Sequence, residues 1–211
     1  MDLIFFGMQG AGKGTIGEAV AERYGHKIFE TGAELRRLAQ EDSELGRKVK
    51  SIIDKGKLVP NKVVMEIVED FMNKLSPDKE VLFDGIPRSV KQAKTLNSLL
   101  DKHDRDYIAV LIKIVEETAL KRLTTRRICK NCKEVYPADY KKETCEKCGG
   151  ELITRADDNV EAIQTRIDAY KKETLPAIEL YKDKLITIDG EPSIEEVKKL
   201  AFEVLDPILK D

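Results

Sequence analysis

The chain has 211 residues, a length that suits one compact core or a core carrying small inserted domains. Its 37 Lys and Arg against 39 Asp and Glu give a net charge of −2, which excludes the basic excess of a non-specific nucleic-acid binder. The apolar opening MDLIFFG is too short for a signal peptide and no apolar run reaches membrane-spanning length, so a cytoplasmic protein is expected.

Asp2–Phe6 is an apolar run ending at a glycine loop and predicts a buried strand. Lys13–Tyr24 places Ile16, Ala19, Val20 and Tyr24 at helical spacing, and His26–Phe29 reads as a second strand. Glu34–Gln40 and Ser43–Lys55 read as short helices, the second stopped by Gly56, and Pro60 opens a helical stretch through Met72. Val81–Asp84 is a third strand ending in Asp-Gly, followed by a helix over Ser89–Lys102. Tyr107–Val115 is β-branched and apolar, a fourth strand, and Glu116–Arg127 is helical again. Ile128–Thr154 breaks the pattern with cysteine pairs and glycines and reads as an inserted subdomain. Asp157–Glu173 resumes a helix, Leu185–Ile188 gives a fifth strand and Ser193–Leu209 a closing helix. Short apolar strands alternating with helices imply a parallel sheet covered on both faces.

The segment Gly7-Met8-Gln9-Gly10-Ala11-Gly12-Lys13-Gly14-Thr15 sits between a strand and a helix, the context of a phosphate-binding loop. Gly10, Ala11, Gly12, Gly14 and Thr15 offer backbone N–H groups to phosphate oxygens, and Lys13 adds a full positive charge beside the helix N-terminus. Asp84 closes an apolar strand, a position from which a carboxylate can hold the waters of Mg²⁺; capping the next turn is the plainer role. Arg88 follows the same strand end, where ligands bind in parallel α/β sheets. His26 and His103 read as ordinary surface or loop residues.

Cys129, Cys132, Cys145 and Cys148 form C-x2-C-x12-C-x2-C, a closed four-thiolate set with the spacing of structural zinc rather than of disulfides or an iron–sulfur cluster. Four sulfur ligands leave no open coordination position, so the metal would staple a lid too small to hold a core of its own.

The loop resembles the G-x-x-G-x-G-K-G-T of nucleoside monophosphate kinases. The likeness continues in family order through Thr31-Gly32 with Leu35-Arg36, then Gly56-Lys57-Leu58-Val59, then Asp84-Gly85-Ile86-Pro87-Arg88 with Gln92. Arg122, Arg126 and Arg127 resemble the arginines entering the lid, and Arg155, Asp157, Asp158 and Arg166 those leaving it. The long insert is similar to that of the long-lid adenylate kinases, some of which carry zinc, with a longer gap between the cysteine pairs. The resemblance implies a P-loop NTP hydrolase-like three-layer α/β core with a five-stranded parallel sheet over 1–29, 60–126 and 157–211. It also implies a helical monophosphate-binding insertion over 30–59 and a zinc-binding lid over 127–156.

By the same resemblance, ATP lies on the glycine loop with Lys13, Arg122 stacks on its adenine, and Arg126 closes over the triphosphate. AMP is held by Thr31, Gly32, Arg36, Lys57, Val59, Gly85, Arg88 and Gln92, with Arg155 and Arg166 near the transferring group. Lys13, Asp84, Arg88, Arg126, Arg155 and Arg166 are the implied catalytic set. Ala33 stands where the family usually has Asp, so that position holds no Mg²⁺ waters. The implied reaction is Mg²⁺-dependent phosphoryl transfer from ATP to AMP by a monomer with no nucleic-acid or membrane partner. A UMP/CMP kinase is the neighbouring alternative. A zinc-ribbon nucleic-acid-binding ATPase is the alternative from another class, disfavoured by near-zero net charge and the absence of aromatics interleaved among the knuckles. A generic P-loop ATPase or GTPase leaves Arg36, Arg88 and Gln92 unexplained.

Overall fold

The structure is a computed structural model that describes residues 1–137 and 140–210. Ala138 and Asp139, which fall inside the expected lid, and Asp211 lie outside the described residues.

In chain order, β1 (Asp2–Phe6) leads through the glycine loop into α1 (Lys13–Tyr24), and β2 (Lys27–Glu30) passes directly into α2 (Thr31–Leu38). Then come α3 (Glu44–Ile53), α4 (Asn61–Lys74), β3 (Val81–Asp84), α5 (Val90–Lys102), β4 (Tyr107–Lys113) and α6 (Glu116–Thr125). The inserted region holds β5 (Arg127–Cys129), β6 (Val135–Tyr136) and β7 (Leu152–Ile153). The chain finishes with α7 (Val160–Ala169), a π turn (Tyr170–Thr174), α8 (Leu175–Ile178), a 3₁₀ turn (Glu179–Lys184), β8 (Leu185–Asp189) and α9 (Ile194–Leu209).

The main sheet has the order β2-β3-β1-β4-β8, with every pair parallel. Both faces are covered, which is why β1 is buried at all five positions and its sequence shows no polar alternation. Leu3, Ile4, Leu82, Phe83, Val110 and Ile112 have no exposed surface. Truncating any one of the aliphatic residues among them should cost about 2–5 kcal/mol through lost burial and the cavity left behind. At the N-terminal edge, Asp2 accepts two 2.6 Å bonds from Arg105 and one of 2.8 Å from the Val81 N–H, tying β1, β3 and the start of β4 together. That bracing leaves the opposite, C-terminal edge to carry loops.

The expected strands and helices are present, with shifted ends. β2 starts at Lys27 and runs to Glu30, one residue later than expected. α2 starts at Thr31 rather than Glu34, because the strand end hands the chain straight into a helix whose first residue is buried. His26 is not a surface residue. Its side chain has no exposed surface, and Nε2 lies 3.0 Å from the Met1 carbonyl. The helix expected over 157–173 begins at Val160 and changes register at Tyr170, where the Leu175 N–H bonds to the Tyr170 carbonyl five residues back. Pro176 has no N–H to return to the Lys172 carbonyl, which favours that wider turn. Arg127 is not helical but opens β5, the centre of a small antiparallel sheet ordered β6-β5-β7.

Candidate active site

The phosphate loop leaves the C-terminal end of β1 and turns into α1 through Gly12, whose φ of 86° is the left-handed conformation that a side chain would strain. Lys13 folds back over the loop, its Nζ donating to the carbonyls of Gly7 (2.8 Å) and Met8 (3.1 Å). Burial lowers its pKa to about 8; Asp84 opposes the fall, and Arg88, Arg166 and Arg126 add to it. Three arginines therefore press on one ammonium that has a single nearby carboxylate.

The end of β3 supplies that carboxylate. Asp84 is buried, and a Cβ placed on Gly14 would lie 4.0 Å from Asp84 Oδ2, so the carboxylate faces the first turn of α1. Burial raises its pKa and Glu30 adds to the rise, while Lys13, Arg88 and Arg36 oppose it. A bound cation at that mouth fits this environment. Gly85 follows at φ 78°, and a Cβ there would stand 2.8 Å from Arg88 Nη2. Glycine is thus needed both for the turn and for the guanidinium lying across it. Arg88 Nε donates to the Gly85 carbonyl at 2.7 Å, and the Arg88 backbone N–H donates to Gln92 Oε1 at 2.7 Å. Ser89 caps α5, and that cap fixes Gln92 one turn along.

Beyond the lid strands, Asp158 organises two more arginines. Arg126 grips it with two bonds of 2.9 and 2.7 Å, and Arg166 Nη1 donates to it at 3.1 Å. Arg155 has a buried Nε with no partner, and its pKa falls to about 10 through burial, then through Arg126 and Arg36. Arg36 is held by Glu30 at 2.8 Å. Lys13, Arg36, Arg88, Arg126, Arg155 and Arg166 thus converge around Asp84, Glu30, Asp157 and Asp158, leaving positive charge that a polyanion would neutralise.

Of the remaining expected residues, Arg122 donates to the carbonyls of Gly10 (3.4 Å) and Gly190 (3.0 Å), joining the glycine loop to the end of β8. Those bonds lie in the guanidinium plane and leave its faces for stacking. Arg127 is spent within the lid, where Nη1 donates to the Lys142 carbonyl and the guanidinium lies 5.9 Å from the Tyr140 ring centre. A cleft of about 600 Å³ opens beside Arg88, lined by Lys57, Val59, Asn61, Ser89 and Gln92. Thr31 Oγ1 and Asn61 Oδ1 are buried without partners, a sign of polar groups awaiting a ligand. Gly32 accommodates Arg36, since a Cβ there would lie 3.0 Å from Arg36 Nη1.

The four cysteine sulfurs all lie within 4.8 Å of one another, with Cys129–Cys148 at 3.4 Å and Cys132–Cys145 at 3.5 Å. A zinc ion bonded at about 2.3 Å to four sulfurs spaces them about 3.8 Å apart, so the donor set fits.

Glu30 was missed because its signal is positional: it closes β2 in register with Asp84. Asn61 and Thr174 carry no motif, although Thr174 stands two residues before a proline that could have flagged it.

A family model described as adenylate kinase matches residues 5–186. A protein of Bacillus pumilus named adenylate kinase is 41% identical over 205 residues, covering 93% of this chain and 94% of its own length. One of Archaeoglobus fulgidus with the same name is 40% identical and covers 99% of both chains. One of Bacillus velezensis is 37% identical across the full length of both.

Proposed function

The chain belongs to the adenylate kinase family and is a nucleoside monophosphate kinase, and we propose that it transfers the γ-phosphoryl group of MgATP to AMP through the six converging cations. That convergence is the observation that carries the reading. A glycine loop alone would serve any P-loop enzyme, but five arginines gathered around it with Lys13 suit a site that brings two anionic substrates together.

An oxygen of the AMP phosphate attacks the γ-phosphorus, the bond from that phosphorus to the β,γ-bridging oxygen breaks, and two ADP result. The attacking oxygen is already anionic near neutral pH, so no general base is needed. This accords with His26 being sealed beneath the N-terminal edge of the sheet. The loop amides and Lys13 hold the donor β- and γ-phosphates. On the acceptor side, Arg36 and Arg88 clamp the monophosphate with planar forks. Arg126, Arg155 and Arg166 surround the moving group, with Asp158 holding two of them in place beforehand. Asp84 would hold waters of the Mg²⁺ that arrives with ATP, and that ion would neutralise developing charge between the β- and γ-phosphates.

The base cleft supports AMP over other acceptors. Gln92 and Asn61 offer polar groups to the cleft and Val59 an apolar side, and Thr31 adds a buried hydroxyl without a partner. The four-thiolate set fits zinc in a structural role. No helix among the described residues is long and apolar enough to cross a membrane.

The deciding assay measures turnover over a panel of AMP, CMP, UMP and GMP with ATP as donor. AMP should lead by about one to two decades, since a buried polar group left unpaired costs about 1–3 kcal/mol. Equal use of CMP or UMP would widen the assignment.

A further inference from the structure

Arg88 is held by more than the turn in which it sits. Its backbone N–H donates to Gln92 Oε1 at 2.7 Å and its Nε to the Gly85 carbonyl at 2.7 Å. Its carbonyl receives a third bond from far along the chain, donated by Thr174 Oγ1 at 3.0 Å across 86 positions. Thr174 is buried and is the last residue of the π turn. A π turn inserts one residue into the helical register and redirects the side chains that follow it. The Leu175-to-Tyr170 bond closes that turn beside Pro176, so the local sequence fixes where Thr174 points. Thr174 also lines a cavity of about 30 Å³ with Gln9, Lys13, Gly85 and Arg88, placing its hydroxyl where the donor loop and the acceptor arginine meet.

We propose that Thr174 is a positioning residue for Arg88: its hydroxyl holds the Arg88 carbonyl and so fixes where the guanidinium meets the acceptor phosphate. The inference rests on Arg88 binding the monophosphate. A clamp acts only when its fork is aligned, and a displacement of about 1 Å at a reacting centre can cost about 10²-fold. The isosteric Thr174→Val keeps the packing and removes only the donor. Thr174→Ser keeps the donor and removes only a methyl group.

The test assays AMP-dependent ADP formation by wild type, Thr174→Ser and Thr174→Val, each also on an Arg88→Lys background, well below the lowest melting temperature of the set. Thr174→Val should lower kcat/KM for AMP roughly tenfold or more and leave KM for ATP nearly unchanged, while Thr174→Ser stays within about twofold. On the Arg88→Lys background valine should cost less than about twofold, because no fork remains to misplace. Unchanged kcat/KM in Thr174→Val, or the same fractional loss in both backgrounds, would overturn the inference and leave the kinase reading intact. Should valine fail to fold, Thr174→Ala enters the same cycle with the same two outcomes. A wild type that forms no ADP from AMP would bring down the proposed function, and this inference with it.

Discussion

The backbone N–H of Arg88 donates to the side-chain carbonyl of Gln92 at 2.7 Å, so the residue proposed to clamp the acceptor phosphate and the residue proposed to read its base share one hydrogen bond. One lone pair of Gln92 Oε1 is thereby used, leaving the second lone pair and the amide N–H groups for an adenine edge. Gln92→Glu keeps an acceptor for Arg88 and loses the donor; Gln92→Leu loses both. Both should erode the preference for AMP over CMP and UMP by about one to two decades, and the leucine variant should also slow turnover with every acceptor. Values of kcat/KM across the monophosphate panel decide this. A glutamate variant as selective as wild type would remove Gln92 from base reading.

Arg88→Lys should leave the melting temperature near that of wild type and lower activity by about 10²-fold or more. The Nε bond to Gly85 fixes a planar fork that an ammonium cannot imitate. Steady-state rates beside a thermal melt test it. Activity within a few-fold of wild type would exclude Arg88 as the clamp.

Much of this arrangement was legible in the sequence. Strands such as Val81–Asp84 declared themselves because a buried parallel strand is a continuous apolar run. The glycine loop and the cysteine pairs did so because their chemistry demands fixed spacing. Residues whose work is tertiary stayed hidden. Thr174 lies 86 positions from its partner, Asp158 gathers arginines from both ends of the lid, and Glu30 meets Asp84 only through sheet register. His26 does lie in the loop before β2, but its burial stayed hidden because a single histidine has no period and that burial depends on the sheet edge folding around it.

That burial should make stability pH-dependent. Nε2 of His26 pairs with the Met1 carbonyl, while Nδ1 is buried without a partner and would become an unpaired donor on protonation. Burial pushes the pKa down from 6.5, the N-terminal ammonium and Arg105 push the same way, and the Met1 carbonyl and Asp2 oppose them; Glu80 lies 3.7 Å away. The folded state therefore binds this proton less readily than the unfolded chain. Stability from this group is complete above pH 6.5, is lost as pH falls from there towards the lowered folded value, and changes no further below it. Melting temperatures between about pH 7.5 and 5 should decline for wild type and flatten in His26→Gln, which can still donate to the Met1 carbonyl. Parallel curves for the two proteins would contradict this reading.

The lid is where metal removal should act. Among the described residues its buried cluster is Cys129, Tyr136, Cys145 and Leu152, and two of those four are proposed ligands. The Tyr136 hydroxyl donates to Cys145 Sγ at 3.1 Å and accepts from the Glu146 N–H at 2.9 Å, so even the aromatic residue is oriented around a sulfur. So small a core cannot offset the entropy of ordering three short strands, and cross-linking four sulfurs through one ion supplies the difference. Elemental analysis should find about one zinc per chain. Chelation, or Cys145→Ser, should lower the melting temperature. Turnover should persist below that lowered temperature, because a metal with four thiolates has no position left for a phosphate oxygen and the arginines at the lid base, Arg126 and Arg155, do not ligate it. Two outcomes would count against a structural zinc: a melting temperature indifferent to metal removal, or loss of all turnover while circular dichroism and protease resistance show the lid still folded. The second would mean that the metal acts on substrate, which a closed tetrahedron forbids.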